Sequence, residues 1–161
     1  MKNHTIKLIV YDFDGVMTDN KVYVDQKGVE MVQVSRADGL GVSEIKKLNI
    51  KQIIISTEKN PVVSLRAKKL EIPCFHGVDN KKKVLVDYCN KNKIDIMSCA
   101  YVGNDINDKQ VMELVGFSFS PSDAHQDIIN LSDHVFSVKG GQGVIRELLD
   151  YLIINNYKMK D

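Results

Sequence analysis

Short apolar runs alternate with amphipathic stretches along most of this chain. Residues 6–11 (IKLIVY), 51–55 (KQIII) and 98–102 (SCAYV) are nearly continuous apolar runs rich in Val and Ile. Such runs have no polar face, so they predict strands covered on both sides, the pattern of central parallel strands. Shorter runs at 73–76, 116–119 and 134–137 predict further strands. Between them the spacing of apolar positions predicts helices at 39–48, 61–71, 80–92, 107–115, 123–130 and 141–154. In the last, Val144, Leu148, Leu149 and Leu152 fall on one face. Strand–helix alternation of this kind predicts an α/β fold, a Rossmann-like, doubly wound and mostly parallel sheet.

One segment departs from that alternation. Residues 21–34 (KVYVDQKGVEMVQV) hold two strand-like runs around Asp25-Gln26-Lys27-Gly28. They predict a β-hairpin, spanning 20–35 with its approaches, inserted directly after the first strand, with Gly28 supplying a positive φ in the turn. No other insertion is large enough for a separate cap domain. The expectation is one domain over residues 1–161, with a loose polar tail at 155–161.

Composition narrows the function classes. The 161 residues are 43% hydrophobic and 27% charged, which fits a globular chain and excludes a disordered one. A net charge of +1 offers no global field for nucleic acid or for a membrane surface, so neither is expected as a partner. Cys74, Cys89 and Cys99 have no CxxC spacing and cannot all pair internally. They read as thiols of a reducing compartment. The opening MKNHTIKLIVYDFDG reaches carboxylates after one short apolar run, unlike a signal peptide or a membrane span. A cytoplasmic location is expected.

In an open parallel sheet, functional groups gather at the carboxyl ends of the strands. Asp12 and Asp14, in YDFDGVMTDN, end the first strand. Ser56 ends IIIS, and Lys81 opens a helix after Gly77-Val78-Asp79-Asn80. Asn104, Asp105 and Asp108, in GNDIND, follow SCAYV. Two carboxylates two residues apart can share a hard cation, and magnesium takes oxygen ligands while leaving room for water and phosphate. One carboxylate can then attack phosphorus, and the other can protonate the leaving alkoxide and later activate water. A hydroxyl and an ammonium can hold the phosphoryl oxygens. Plainer readings exist for each residue. Acidic pairs are common in surface turns, Ser56 could cap a helix, and Lys82 or Lys83 could serve in place of Lys81. Arg36 and Asp38, in SRADGLG, could touch substrate, while Asp38 could equally cap the next helix. The segment KGGQG at 139–143 could form a simple turn or reach a neighbouring site.

Taken together, DFDGVMTD resembles the first motif, DxDGxxTD, of the haloacid dehalogenase superfamily of phosphatases. Ser56, Lys81 and GNDIND match its remaining motifs in order, and the likeness covers nearly the whole chain. The hairpin and the late segment KGGQGVIRELLDYL resemble the capless subfamily of 3-deoxy-manno-octulosonate 8-phosphate and nonulosonate 9-phosphate phosphatases. That subfamily includes the phosphatase-like domain attached to some CMP-sialate synthetases. The resemblance implies Asp12 as nucleophile and Asp14 as general acid/base, with Ser56 and Lys81 on the phosphoryl group. It implies Mg2+ held by Asp12, the backbone carbonyl of Asp14 and Asn104, with Asp105 and Asp108 orienting that shell. It also implies a homotetramer in which the hairpin and neighbouring chains cover each site.

Two departures refine the expectation. Many members carry Asp where this chain has Asn104, so one negative charge is missing and weaker metal binding is expected. After Ser56 come Thr57-Glu58-Lys59, where octulosonate enzymes usually carry Gly-Arg at the first two positions. Glu58, Arg66 and Lys69 match the nonulosonate enzymes better. Glu58 could accept hydrogen bonds from sugar hydroxyls, and Arg66 and Lys69 could pair with a sugar-acid carboxylate. A phosphorylated sugar acid is therefore the expected substrate, nonulosonate 9-phosphate ahead of the octulosonate 8-phosphate. The competing expectation is a weakly active or non-catalytic module that helps a CMP-sialate synthetase to oligomerise.

Overall fold

The computed structural model describes residues 5–155. Six strands form one sheet: β1 (Leu8–Tyr11), β4 (Lys51–Ile55), β5 (Cys74–Phe75), β6 (Cys99–Val102), β7 (Phe117–Ser120) and β8 (His134–Val135), ordered β5-β4-β1-β6-β7-β8. Every pairing in it is parallel. The helices are α1 (Arg36–Lys47), α2 (Val62–Leu70), α3 (Lys81–Asn92), α4 (Lys109–Met112), α5 (Gln126–Leu131) and α6 (Val144–Ile154).

Successive strand residues point to opposite faces, which divides the core into two layers. Ile9 and Tyr11 of β1 face the layer built with Val42 and Ile45 of α1, Val63 of α2, and Leu148 and Leu152 of α6. Leu8 and Val10 face the layer built with Leu85 and Cys89 of α3, Val111 of α4 and Ile128 of α5. The apolar run in β1 is continuous because both its faces are covered. Cys89 and Cys99 meet in the second layer as free thiols, with Sγ atoms 3.4 Å apart.

Several boundaries differ from the apolar pattern for local reasons. The first helix begins at Arg36 rather than 39, because Ser35 caps it and accepts from the N–H of Ala37. The expected helix at 107–115 is a 3-10 turn, Ile106–Asp108, followed by the short α4. Asp38 caps a helix, but not its own. Its Oδ1 accepts from the N–H groups of Ile145 (2.9 Å) and Arg146 (3.4 Å), in the first turn of α6. Helices α1 and α6 approach closely there: a Cβ at Gly41 would stand 2.9 Å from the carbonyl carbon of Ile145.

The hairpin is present as β2 (Tyr23–Val24) and β3 (Glu30–Met31), antiparallel, with Gly28 at φ +78° in the turn. A bridge between Thr18 and Val34 closes its base. It lies apart from the main sheet, and Tyr23 and Met31 are 68% and 61% exposed. Among the described residues there is no cap domain and no helix long and apolar enough to cross a membrane. Residues 156–161 of the expected tail lie outside the described residues.

Candidate active site

Strand order reverses direction beside β1. The chain moves from β1 to β4 and β5 on one side, and then returns to add β6, β7 and β8 on the other. A crevice opens at such a switch, above the carboxyl ends of β1 and β6. The Asp12 N–H donates to the Val102 carbonyl at 3.0 Å. This carries the ladder one residue past β1 and sets Asp12 at the mouth of the crevice, with Asn104 beyond β6.

The floor of the crevice is a buried charge network. Lys81, the first residue of α3, is 4% exposed, and its Nζ lies 2.8 Å from Asp12 Oδ1 and 2.7 Å from Asp108 Oδ1. Lys83 instead pairs with Asp87 at the surface, so burial singles out Lys81 within the lysine run. Asp108 is fully buried and fully engaged. Its Oδ1 also accepts from the Tyr101 hydroxyl (2.8 Å), and its Oδ2 from the N–H groups of Asn104 (2.9 Å) and Asp105 (3.3 Å). One carboxylate thereby holds both the ammonium and the loop that carries Asn104.

Asp12 Oδ1 accepts from the Phe13 N–H as well, at 2.7 Å. Even so, burial and then the charge of Asp108 push the Asp12 carboxyl up to about 8, against the pull of Lys81. Burial also works to lower the Lys81 ammonium, but Asp12 and Asp108 outweigh it and hold the group above its usual range. Burial and Asp108 raise Tyr101 well above a free phenol, so it stays a neutral donor. With Asp12 and Asp108 both ionised the cluster carries more negative than positive charge, and another cation would offset that charge and favour the ionised Asp12.

The side-chain amide of Asn104 shows where that cation fits. Its outward atom lies 2.8 Å from the carbonyl oxygen of Asp14 and 3.2 Å from Asp12 Oδ2, both of them acceptors. Either the amide turns over and donates to both, or the three oxygens enclose a cation. Magnesium with oxygens at about 2.1 Å in an octahedron sets neighbouring ligands about 3 Å apart, which matches both separations. Gly15 makes the approach possible: at φ +79° it turns the loop sharply, and a Cβ there would lie 1.9 Å from the Asn104 amide nitrogen. Among the described residues no group of three His, Cys, Asp or Glu side chains is placed to hold a metal. The donors here are one carboxylate, one backbone carbonyl and one amide.

Above these oxygens lies a cavity of about 410 Å³ lined by Asp12, Asp14, Asn20, Ser56, Thr57, Asn104, Asp105 and Asn107. The lining is polar and includes no Arg or Lys. Ser56 directly follows β4, is 1% exposed, and accepts from the Glu58 N–H at 3.1 Å, which leaves its hydroxyl proton free to donate. Burial, then the charge of Glu58, raises the Asp14 carboxyl, while a hydrogen bond from Thr18 works the other way. Asp105 is exposed and caps the 3-10 turn through the Ile106 N–H.

The structure thus brings together Asp12, Asp14, Ser56, Lys81, Asn104, Asp105 and Asp108. It does not bring in the remaining residues expected to bind substrate. Arg36, Arg66 and Lys69 line a separate groove of about 640 Å³ between α1 and α2, and one Arg66 guanidinium nitrogen donates to the Ser35 carbonyl. Glu58 stands close enough to influence Asp14, but its Oε1 accepts from the Asn60 N–H at 2.7 Å and it is not among the lining residues. Asp38 is buried between α1 and α6, where it cannot touch substrate. The segment KGGQG packs on its own chain, the Gly141 N–H donating to the Val16 carbonyl in the loop after β1. The sequence pattern does not single out Tyr101 or Thr18. A tyrosine within SCAYV reads as core, and Thr18 sits inside the first motif with no sign of what it bonds.

Comparison with known proteins agrees with this geometry. A family model described as haloacid dehalogenase-like hydrolase matches residues 43–148. The 3-deoxy-D-manno-octulosonate 8-phosphate phosphatase of Salmonella typhi is 34% identical over 161 residues, 99% of this chain and 86% of that protein. The crystal structure of the phosphatase of that name from Moraxella catarrhalis, in complex with magnesium, phosphate and KDO, superposes with a TM-score of 0.89. It is 31% identical and covers 94% of this chain and 89% of that one. N-acylneuraminate cytidylyltransferase A of Danio rerio is 29% identical over 99% of this chain, which spans 37% of that longer protein. With its strand-end carboxylates, buried lysine and parallel sheet, the chain belongs to the haloacid dehalogenase-like hydrolase family, as one of its capless phosphoric monoester hydrolases.

Proposed function

We propose that this protein hydrolyses the phosphate monoester of a sugar acid through an aspartyl phosphate on Asp12, with Mg2+ as cofactor. The observation that carries this reading is the meeting of Asp12 Oδ2, the Asp14 carbonyl and the Asn104 amide beside a polar cavity. Those three groups would hold the metal, with Asp108 steadying the Asn104 loop and Asp105 at the rim. The ion supplies positive charge that neutralises the phosphate and the clustered carboxylates.

The steps follow from the side chains. Asp12 attacks phosphorus while the bond to the leaving oxygen breaks, and Asp14 gives its proton to that oxygen. Asp14 then takes a proton from water, which attacks the aspartyl phosphate and frees inorganic phosphate. Lys81 uses two of its three N–H donors on Asp12 and Asp108, so one remains for a phosphoryl oxygen. The free hydroxyl proton of Ser56 supplies another.

For the substrate, the relatives named for the octulosonate 8-phosphate activity support 3-deoxy-D-manno-octulosonate 8-phosphate ahead of nonulosonate 9-phosphate. This reverses the order expected from Thr57-Glu58-Lys59. Of the residues behind that order, Thr57 lines the catalytic cavity, while Glu58, Arg66 and Lys69 do not. We further read the protein as a cytoplasmic homotetramer, in which Arg36, Arg66 and Lys69 meet a substrate carboxylate bound by a neighbouring copy. A cavity without Arg or Lys in its lining supports that reading.

The test is phosphate release from both sugar-acid phosphates, with magnesium and with a chelator. Release that stops with chelator, returns with magnesium and disappears in Asp12→Asn is the expected result. Similarity to the cytidylyltransferase favours one rival, a module serving assembly of a synthetase. No release from either compound, with Asp12→Asn indistinguishable from the parent, would overturn the sugar-acid phosphatase reading.

A further inference from the structure

Thr18 is fully buried beside the catalytic loop. Its Oγ1 lies within hydrogen-bond distance of the Gly15 N–H (3.2 Å), the Asn20 N–H (3.1 Å) and Asp14 Oδ1 (3.4 Å). The two backbone groups can only donate. A hydroxyl has two lone pairs and one proton. With both lone pairs occupied, the proton has one place left to go, Asp14 Oδ1.

We infer that Thr18 is a positioning residue for Asp14, fixing the rotation of its carboxyl group and the oxygen that carries the transferable proton. Because Oδ1 receives the Thr18 proton, Oδ2 is the oxygen left to deliver one to the leaving group. The same hydroxyl ties together three parts of the loop: the Gly15 turn, the acid and Asn20 at the hairpin entry. Asn20 holds φ +64° there, and a bridge joins Thr18 to Val34 at the hairpin base. The separation of 3.4 Å is long for such a bond, and catalytic hydrogen bonds often tighten in the transition-state complex.

This inference rests on Asp14 being the general acid, so the experiment tests both. The kcat/KM for p-nitrophenyl phosphate, whose leaving group needs no proton, is compared with that for benzyl phosphate, whose leaving group does; this ratio reports transfer to Asp12 and leaves out the hydrolysis of the aspartyl phosphate that both share. Asp14→Asn should slow benzyl phosphate by about 100-fold or more, the usual size of general acid catalysis, and slow p-nitrophenyl phosphate far less. Equal losses on both would remove the acid reading itself. Thr18→Val, which keeps shape but drops the donor, should lower kcat/KM for benzyl phosphate about tenfold relative to p-nitrophenyl phosphate, a fraction of the full acid effect. Thr18→Ser should restore the native ratio. Thr18→Ala provides a second variant, since its gap admits water to the two backbone N–H groups if the valine form does not fold. A merely structural role slows both substrates alike. The inference is overturned if the alanine or valine variant keeps the native ratio while Asp14→Asn changes it, or if Thr18→Ser fails to restore it.

Discussion

An amide at position 104 sets the electrostatics of this site. Among the three oxygens that meet there, only Asp12 brings a formal charge. Asn104→Asp should therefore tighten magnesium, with Kd falling by about tenfold, or roughly 1.4 kcal/mol. The same change adds a carboxylate beside Asp12 and Asp14, so without metal the variant should unfold at a lower temperature than the parent. Thermal unfolding with and without magnesium checks both signs. Lys81 is the complementary case. Lys81→Met leaves Asp12 and Asp108 buried and facing each other without their shared cation. Removing one partner of a buried pair costs about 3–5 kcal/mol, so urea denaturation should show a loss of that order along with loss of turnover. The residues at strand ends were legible because a charged or hydroxyl residue directly after a continuous apolar run has few structural reasons to be there. Tyr101 was not legible, since a phenol within a core strand reveals its hydrogen bond only when Asp108 folds back onto it. Arg36, Arg66 and Lys69 were legible as cations, but their groove depends on how α1 packs against α2, which spacing alone does not give.

At the level of elements, the joint between α1 and α6 turns on Asp38. Burial pushes its carboxyl up to about 6, even with two backbone N–H groups donating to it. Its Oδ2 is buried and has no hydrogen-bond partner. The usual acid dependence of a paired carboxylate is thereby inverted. Between about pH 4 and pH 6 the folded chain keeps a proton on Asp38 that the unfolded chain has already lost. Raising the pH through that window should lower stability, by up to about 3 kcal/mol. Asp38→Asn should flatten this part of the profile, and urea titrations of parent and variant at about pH 4.5 and pH 7.5 would show it. The helices and strands themselves followed the apolar pattern closely, because each is fixed by the face it buries. Their ends did not. Ser35 starts α1 through a cap rather than through an apolar contact. The expected helix at 107–115 gives way to a turn in which Asp105 and Asp108 cap each other. Asp38 could be read as a cap from its sequence position, but the helix it caps is more than 100 residues further along the chain.

For the whole molecule, the hairpin is the exposed feature that needs an explanation. Val22, Tyr23, Val24, Val29 and Met31 are all at least 49% exposed on one small projection. A cluster of apolar side chains of this kind marks an interaction surface. On the proposed assembly, Tyr23→Glu with Met31→Glu should convert the oligomer to monomers in analytical ultracentrifugation. An unchanged sedimentation coefficient would remove the hairpin from the interface. If neighbouring copies supply the substrate carboxylate's partner, the monomeric variant should keep p-nitrophenyl phosphate turnover while losing the sugar-acid phosphate.

The Asp12–Lys81–Asp108 network has a consequence for how the protein comes into being. Its members come from the end of β1, the start of α3 and the 3-10 turn after β6, and Lys81 and Asp108 alone are 27 positions apart. No contiguous fragment shorter than the stretch from Asp12 to Asp108 contains it. During refolding, helix signals can return from local contacts, whereas the parallel sheet and this network exist only after distant segments have docked. Turnover is therefore a clock for the last stage of folding, and its recovery should lag behind circular dichroism.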